Sequence, residues 1–75
     1  MAGRTTGTDE VARALGRALR ALRAERGWTQ EFVASRAQIT LRMLQRLEGA
    51  ETNPTLDTIV KVAGAYGVSV KDLLS

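Results

Sequence analysis

The chain has 75 residues and contains neither cysteine nor histidine. This length corresponds to one small domain, and the composition excludes disulfide bonds and any metal site or catalysis that needs a thiolate or an imidazole. No paired-carboxylate constellation stands out, so neither an enzyme nor a bound cofactor or metal is expected. No apolar run approaches the length of a membrane span, which predicts a soluble cytoplasmic protein without membrane contact.

The net charge of +3 is unevenly distributed along the chain. Residues 1–50 carry nine arginines and five acids, whereas residues 51–75 carry two lysines and three acids. The first part is therefore expected to face an anionic partner, and the near-neutral second part to have a different role.

The N-terminal region divides into a short arm and a first helix. Residues 1–8 are small and polar, which predicts a flexible arm ahead of a domain that comprises residues 9–75. Thr8 is the expected N-cap of the first helix and Gly27 its terminator. The apolar stripe of this helix consists of Val11, Leu15, Ala18, Leu19 and Leu22. The opposite face, which we interpret as solvated, carries Arg13, Arg17 and Arg20.

Four further helices are predicted, each preceded by a hydroxyl residue that can act as N-cap. They are residues 30–37, 41–48, 56–66 and a short segment from 70, with caps Thr29, Thr40, Thr55 and Ser69. Trp28 is expected to pack between the first two helices. The expected apolar stripe of the fourth helix is Leu56, Ile59, Val62, Ala63 and Tyr66. No segment alternates like a strand, so the predicted fold is all-α, a compact five-helix bundle.

The segment "ITLRMLQRLEG", residues 39–49, has two chemically distinct faces. At 100° per residue, Leu44, Leu47 and Glu48 share one side. Arg42 and Arg46 lie almost diametrically opposite. A solvated surface helix would usually offset such arginines with nearby acids, so this face is expected to meet an anionic partner.

Two short helices separated by about three residues, the second with an outward basic face, are the ingredients of a helix-turn-helix. The second helix of such a unit fits the major groove of DNA. The N-terminus of the first can bind a phosphate. Here that anion site consists of the amides after Thr29, assisted by the Gln30 side chain.

The chain resembles the lambda-repressor-like helix-turn-helix family, also called the Cro/C1 or xenobiotic-response-element type. The resemblance runs from about Leu15 to Leu74 through "LRALRAERGWTQEFVA", "ITLRMLQRLEG" and "NPTLDTIVKVAGAYGVSVKDLL". It implies a lambda-repressor-like fold and double-stranded DNA as partner. Family members are mostly bacterial or phage transcription regulators that bind operators as dimers.

The resemblance also assigns roles to individual residues. Gln30 occupies a phosphate-contacting position. The positions that face DNA in the third helix are Thr40, Leu41, Arg42, Gln45 and Arg46. Arg42 and Arg46 are the expected base contacts, because arginine can donate two hydrogen bonds to guanine O6 and N7. Gln45 could contact adenine or phosphate.

The family pattern further suggests an ion pair between Arg23 and Glu48, which would join the first helix to the third. Three residues depart from that pattern. Gln38 stands where glycine is usual in the turn, which predicts a reshaped turn. Leu41 is apolar where a polar side chain is common, and Glu51 brings a negative charge towards the phosphate-contacting region. Together the three departures predict weaker DNA affinity but do not change the predicted fold.

The C-terminal part has more apolar residues than one thin bundle edge is expected to bury. These residues are Tyr66, Val68, Val70, Leu73 and Leu74. They predict a C-terminal dimerisation helix and a two-fold dimer with its DNA-contacting helices about 34 Å apart.

The leading hypothesis is a sequence-specific transcriptional regulator that binds a palindromic operator as a homodimer and needs no small-molecule effector. Restriction–modification controllers and Cro-like repressors are proteins of this kind. The alternative is a protein-interaction module with the same fold, such as an antitoxin. Leu41, Met43 and Glu51 on or near the DNA-facing side favour that alternative.

Overall fold

The computed structural model describes the backbone of residues 6–75 and the side chains of residues 9–75. Five helices are present, and the described part of the chain contains no strand. They are α1 (Thr6–Arg26), α2 (Gln30–Ala37), α3 (Leu41–Glu48), α4 (Leu56–Tyr66) and α5 (Val70–Leu74). The expected all-α architecture of five helices is confirmed.

Helices α2 to α5 each begin after a hydroxyl side chain. This side chain accepts a hydrogen bond of 3.0–3.1 Å from the backbone N–H three residues later. The four caps are Thr29, Thr40, Thr55 and Ser69. Each bond satisfies an amide that the helix itself leaves without a partner, and a cap of this kind stabilises a helix by about 1 kcal/mol.

The first helix begins earlier than expected. Its first residue is Thr6, so Thr8 lies inside the first turn and does not precede the helix as its N-cap. Residues 1–5, which make up most of the predicted arm, lie outside the described residues.

The first four helices end in the same way. In each, a residue with positive φ follows the helix, and the next backbone N–H donates to a carbonyl five residues back, over 2.9–3.1 Å. The positive-φ residues are Gly27, Gln38, Ala50 and Gly67. The turn between α2 and α3 is therefore not reshaped by the absence of glycine, because Gln38 adopts the left-handed conformation itself, with φ 59° and ψ 44°.

In the core, α1 packs against α3 and α5, and α2 packs against α3 and α4. Its most deeply buried side chains are Leu15, Leu19, Val33, Leu44, Leu47 and Val62. Gly16 lies where α1 crosses the end of α3. A Cβ at this position would be 3.0 Å from the carbonyl oxygens of Leu47 and Glu48, so the two backbones approach closely because Gly16 has no side chain.

Two residues of the predicted apolar stripes are exposed. Leu56 is 70% exposed because α4 packs on its neighbours through Ile59 and later residues, which leaves its first residue uncovered. Val11 is 41% exposed, and the adjacent Ala12 is buried instead.

The C-terminal apolar residues are covered more completely than expected. Tyr66 and Leu73 are 3% and 2% exposed within a single chain, so the expectation that they form a dimer surface is wrong. Five helices suffice to enclose these two side chains. Val68, Val70 and Leu74 are partly buried and pack against the same core.

Trp28 occupies a half-buried position between α1 and α2 and also contacts α4. Its ring stacks on Tyr66, with centroids 5.4 Å apart, and meets the edge of Phe32 at 4.9 Å. Arg26 and Arg36 place their guanidinium groups over this ring. They also donate hydrogen bonds to the Tyr66 and Ala65 carbonyls, so α1 and α2 supply the cations at the C-terminus of α4.

Candidate nucleic-acid interface

Helix α3 presents a polar, positively charged face to solvent. Arg42, Gln45 and Arg46 are exposed on this face, whereas Leu44 and Leu47 on the other side are completely buried. Among the described residues, neither arginine forms an ion pair. The leucines therefore hold the helix against the bundle while the guanidinium groups remain available to an external anion.

At the start of α3, the capping residue is polar and exposed, and two of the residues that follow it are apolar and half-buried. Thr40 is exposed, and its hydroxyl oxygen accepts the Met43 amide, which leaves the hydroxyl proton free to donate. Leu41 and Met43 are half-buried, and Met43 packs against the core. Met43 thus contributes to the stability of the bundle, and Leu41 offers a small apolar surface at the edge of the exposed face.

The N-terminus of α2 lies beside this face. Thr29 is exposed and caps the helix by accepting the Phe32 amide over 3.0 Å. The first amides of the helix, which have no intrahelical partner, can bind an anion such as a phosphate.

Four side chains from three helices form one hydrogen-bonded network. Glu48 of α3 is 4% exposed and accepts Arg23 Nε over 2.8 Å and Arg23 Nη2 over 3.1 Å. It also accepts Gln30 Nε2 over 3.0 Å. Gln30 Oε1 in turn accepts Gln45 Nε2 over 3.4 Å. The network therefore runs from α1 through a buried carboxylate to a side chain exposed on α3.

This network fixes the positions of α1, α2 and α3 relative to one another. The hydrogen bond with Glu48 raises the pKa of the Arg23 guanidinium above its ordinary value, against the opposing effect of burial. Both ends of the Gln30 amide are engaged, one by Glu48 and the other by Gln45. Gln30 consequently orients Gln45 on the exposed face as well as marking the start of α2.

The C-terminal end of α3 is held by a second contact from α1. Arg20, which is exposed like the other arginines of that face, donates a hydrogen bond to the Glu48 backbone carbonyl. The close approach at Gly16 occurs at the same place. Sequence patterns did not reveal either contact, because both depend on where α1 crosses a helix more than twenty residues away.

The described residues show neither a candidate metal site nor a candidate membrane span. This part of the chain contains no group of three or more acids, histidines or cysteines placed to hold a metal ion. It also contains no helix that is both long and apolar enough to cross a bilayer.

The helix-turn-helix class of DNA-binding domains is defined by two short helices joined by a tight turn. Here α2 is the first helix, and α3 is the second, with one face buried against the bundle and an exposed basic face opposite. A family model described as "Helix-turn-helix" matches residues 19–73 of the chain. The chain belongs to the Cro/C1-type helix-turn-helix family, whose members are DNA-binding transcription regulators.

One relative is the HTH-type transcriptional regulator DdrOP3 of Deinococcus deserti. It is 46% identical over 56 residues, which represent 75% of this chain and 43% of that protein. A second relative, the regulator SutR of Escherichia coli, is 31% identical over 67 residues, and the match covers 38% of its length. The chain thus spans about two-fifths of the length of these relatives.

Solved structures share the fold over most of the chain. The hypothetical transcription factor NHTF from Neisseria superposes with a TM-score of 0.81 and 29% identity, over 87% of this chain and 75% of that one. The restriction-modification controller protein C.AhdI from Aeromonas hydrophila gives a TM-score of 0.78 and 27% identity, over 83% of this chain and 94% of that one.

Proposed function

We propose that residues 9–75 form the DNA-binding unit of a sequence-specific transcriptional regulator, with α3 in the major groove of double-stranded DNA. The observation that carries this proposal is the pair of exposed arginines on α3, Arg42 and Arg46, without an ion-pair partner among the described residues. An unpaired basic face on a short, rigidly backed helix has the dimensions and the charge of a major-groove ligand.

Individual residues receive distinct roles in this proposal. Arg42 and Arg46 contact guanine O6 and N7, and Gln45, oriented by Gln30, contacts adenine. The amides that follow Thr29 bind a backbone phosphate. Two residues at the start of α3 complete the contact surface, Thr40 through its free hydroxyl proton and Leu41 through contact with a thymine methyl group.

The regulator is proposed to act as a homodimer on a palindromic operator, because two-fold symmetry places two copies of α3 on successive major grooves. The surface for self-association includes the partly buried Val68, Val70 and Leu74. We also assign to it Leu56 and Val60 of α4, because these apolar side chains are 70% and 51% exposed. Sedimentation of the wild type and of Val60→Lys at tens of micromolar tests this surface, and a monomeric wild type would contradict it.

We place the protein in the cytoplasm, as a binding protein without enzymatic activity or a small-molecule effector. We infer that occupancy of the operator would by itself block or assist transcription, which is the mode of action of a controller protein or a Cro-like repressor. The likeness to a restriction-modification controller over nearly the whole of that chain supports a controller role.

Titration of the protein on random-sequence duplex DNA at several salt concentrations tests the proposal. Affinity should fall steeply with salt, because each neutralised phosphate releases condensed counterions. Selection of bound sequences from a random duplex library should then return a two-fold symmetric site. Absence of duplex binding even at low salt would overturn the proposal.

The second candidate is a protein-interaction module such as an antitoxin. The exposed apolar side chains Leu56 and Phe32, 70% and 46% exposed, are the observation that favours it. The same titration separates the two functions, because a protein-interaction module should bind random duplex weakly at every salt concentration.

A further inference from the structure

Glu51 lies beside the basic face of α3 because the chain reverses at the end of that helix. Ala50 takes a positive φ of 55°, and the Glu51 amide donates to the Arg46 carbonyl over 2.9 Å. The reversal places Glu51 next to the last turn of α3, although it belongs to the following loop.

The Glu51 side chain shares an open depression with three residues of α3. The lining residues are Arg42, Gln45, Arg46 and Glu51. The carboxylate folds over Gly49, where an added Cβ would be 2.9 Å from Oε2. Glu51 is exposed, and it forms no ion pair with a described residue. An unneutralised negative charge therefore occupies the rim of the surface proposed to face DNA.

Helix stability does not account for this position. The C-terminus of a helix carries a partial negative charge, so a carboxylate beside the last turn of α3 is unfavourable and a lysine or arginine would be favourable. Glu51 also makes no side-chain hydrogen bond among the described residues that would offset this repulsion. Contacts among the described residues therefore do not account for the position of the Glu51 carboxylate.

We propose that Glu51 lowers the affinity of the α3 surface for the DNA backbone, independently of base sequence. This inference rests on the proposed function. A phosphate that approaches Arg42 or Arg46 also approaches the Glu51 carboxylate, and the repulsion subtracts from the electrostatic attraction that drives non-specific binding. Stable occupancy of DNA then depends on base contacts, since the backbone contacts alone are weakened.

The size of the effect follows from the charge. One unit charge at the distance of a close ion pair in water changes an affinity by about two- to fivefold. Neutralising Glu51 should therefore tighten binding to every duplex by that factor, and reversing its charge should tighten it by about tenfold. Glu51→Lys should also steepen the dependence of affinity on salt, because the added lysine can neutralise one more phosphate and so release its counterions.

The experiment compares Glu51→Gln and Glu51→Lys with the wild type on random duplex and on a selected operator, at about 50 and about 200 mM salt. Matched controls are Glu25→Gln and Glu25→Lys, which change the net charge equally in the groove between α1 and α5. We expect affinity to rise in the order wild type, Glu51→Gln, Glu51→Lys on both duplexes, with little change for the Glu25 variants. Misfolding cannot imitate this result, because the expected change is a gain.

Three results would overturn the inference. Equal affinities of the Glu51 variants and the wild type would show that the carboxylate does not influence DNA. Equal gains from the Glu25 variants would show an effect of net charge alone. A change confined to the operator would make Glu51 a base contact. Failure of the proposed function can be distinguished from failure of this inference in the same titrations. If the protein does not bind DNA, neither the wild type nor Glu51→Lys will bind any duplex at low salt.

Discussion

Arg23 and Glu48 join the first helix to the third through two parallel hydrogen bonds, Nε to Oε2 at 2.8 Å and Nη2 to Oε1 at 3.1 Å. The carboxylate is almost completely buried, with 5% of its side chain exposed, whereas 28% of the Arg23 side chain is exposed. The pair orients α3 on the bundle, and through Gln30 it also connects to α2. Removal of this ion pair should therefore lower the free energy of unfolding, and it should not act directly on a contact with DNA.

Arg23→Ala should destabilise the protein by about 2–4 kcal/mol, because the buried Glu48 carboxylate loses its counter-charge. The double variant Arg23→Met with Glu48→Leu should recover much of this loss, since neither charge then remains buried. Urea unfolding of the two variants measures the difference. Equal destabilisation of the single and the double variant would contradict this account.

Tyr66→Phe should leave stability unchanged or raise it by about 1 kcal/mol. The Tyr66 hydroxyl is buried, and no described group forms a hydrogen bond with it, so its removal relieves a desolvation penalty. Thermal unfolding of the variant at neutral pH measures this effect, and a loss of more than about 1 kcal/mol would indicate that the hydroxyl has a partner.

Tyr66 should also make stability depend on alkaline pH. Burial, assisted by the Glu48 charge and opposed by Arg23 and Arg26, raises the pKa of Tyr66 above its ordinary value of 10.0. The folded state therefore holds the phenol proton more tightly than the unfolded state. This contribution is fully present below pH 10 and is lost as the pH rises through the folded-state pKa. Tyr66→Phe should reduce this alkaline loss. Absorbance of the single tyrosine reports its ionisation directly.

Gln38→Gly and Ala50→Gly should each stabilise the protein by about 0.5–1 kcal/mol. Both residues have positive φ, 59° and 55°, a conformation that glycine adopts without strain. Gly27→Ala is the reciprocal control, since a Cβ there meets no atom within 4 Å and only its φ of 66° opposes the change. It should destabilise by a similar amount in the same unfolding experiment. Stabilisation by Gly27→Ala would refute the strain argument.

Gly16→Ala should destabilise the protein by about 1–3 kcal/mol, although alanine is the better helix former. The added Cβ would lie 3.0 Å from two backbone oxygens of α3, which cannot move without displacing that helix. Gly64→Ala provides the control, because its Cβ meets nothing within 4 Å. That variant should be stabilised by up to about 1 kcal/mol. Similar effects of the two substitutions would exclude a steric role for Gly16.

Arg42→Ala should weaken binding to the selected operator by about 1–3 kcal/mol and relax the preference at one base pair. Its stability should be unchanged, because the side chain is exposed and forms no ion pair with a described residue. Arg17→Ala removes another exposed arginine, on α1, and should change affinity little. Competition binding against single-base operator variants measures the preference, and an equal loss on every sequence would make Arg42 a phosphate contact.

The positions of most helix ends could be predicted from the sequence alone. Thr29, Thr40, Thr55 and Ser69 cap their helices through bonds that span only three residues, so the local sequence contains both partners. The outward orientation of Arg42 and Arg46 was likewise predictable, because helical periodicity places them opposite the buried Leu44 and Leu47. Local signals failed at Thr8, where the helix continues two residues further towards the N-terminus.

The tertiary structure decided which side chains are covered and which are joined. Leu56 and Tyr66 occupy the same predicted stripe, yet one is 70% and the other 3% exposed, because packing of α4 covers only part of its length. The contact of Gly16 with α3 and the link from Glu48 through Gln30 to Gln45 bring together residues that are distant in the chain. Helix termini depend on neighbours within one turn, whereas burial and pairing depend on how separate helices cross.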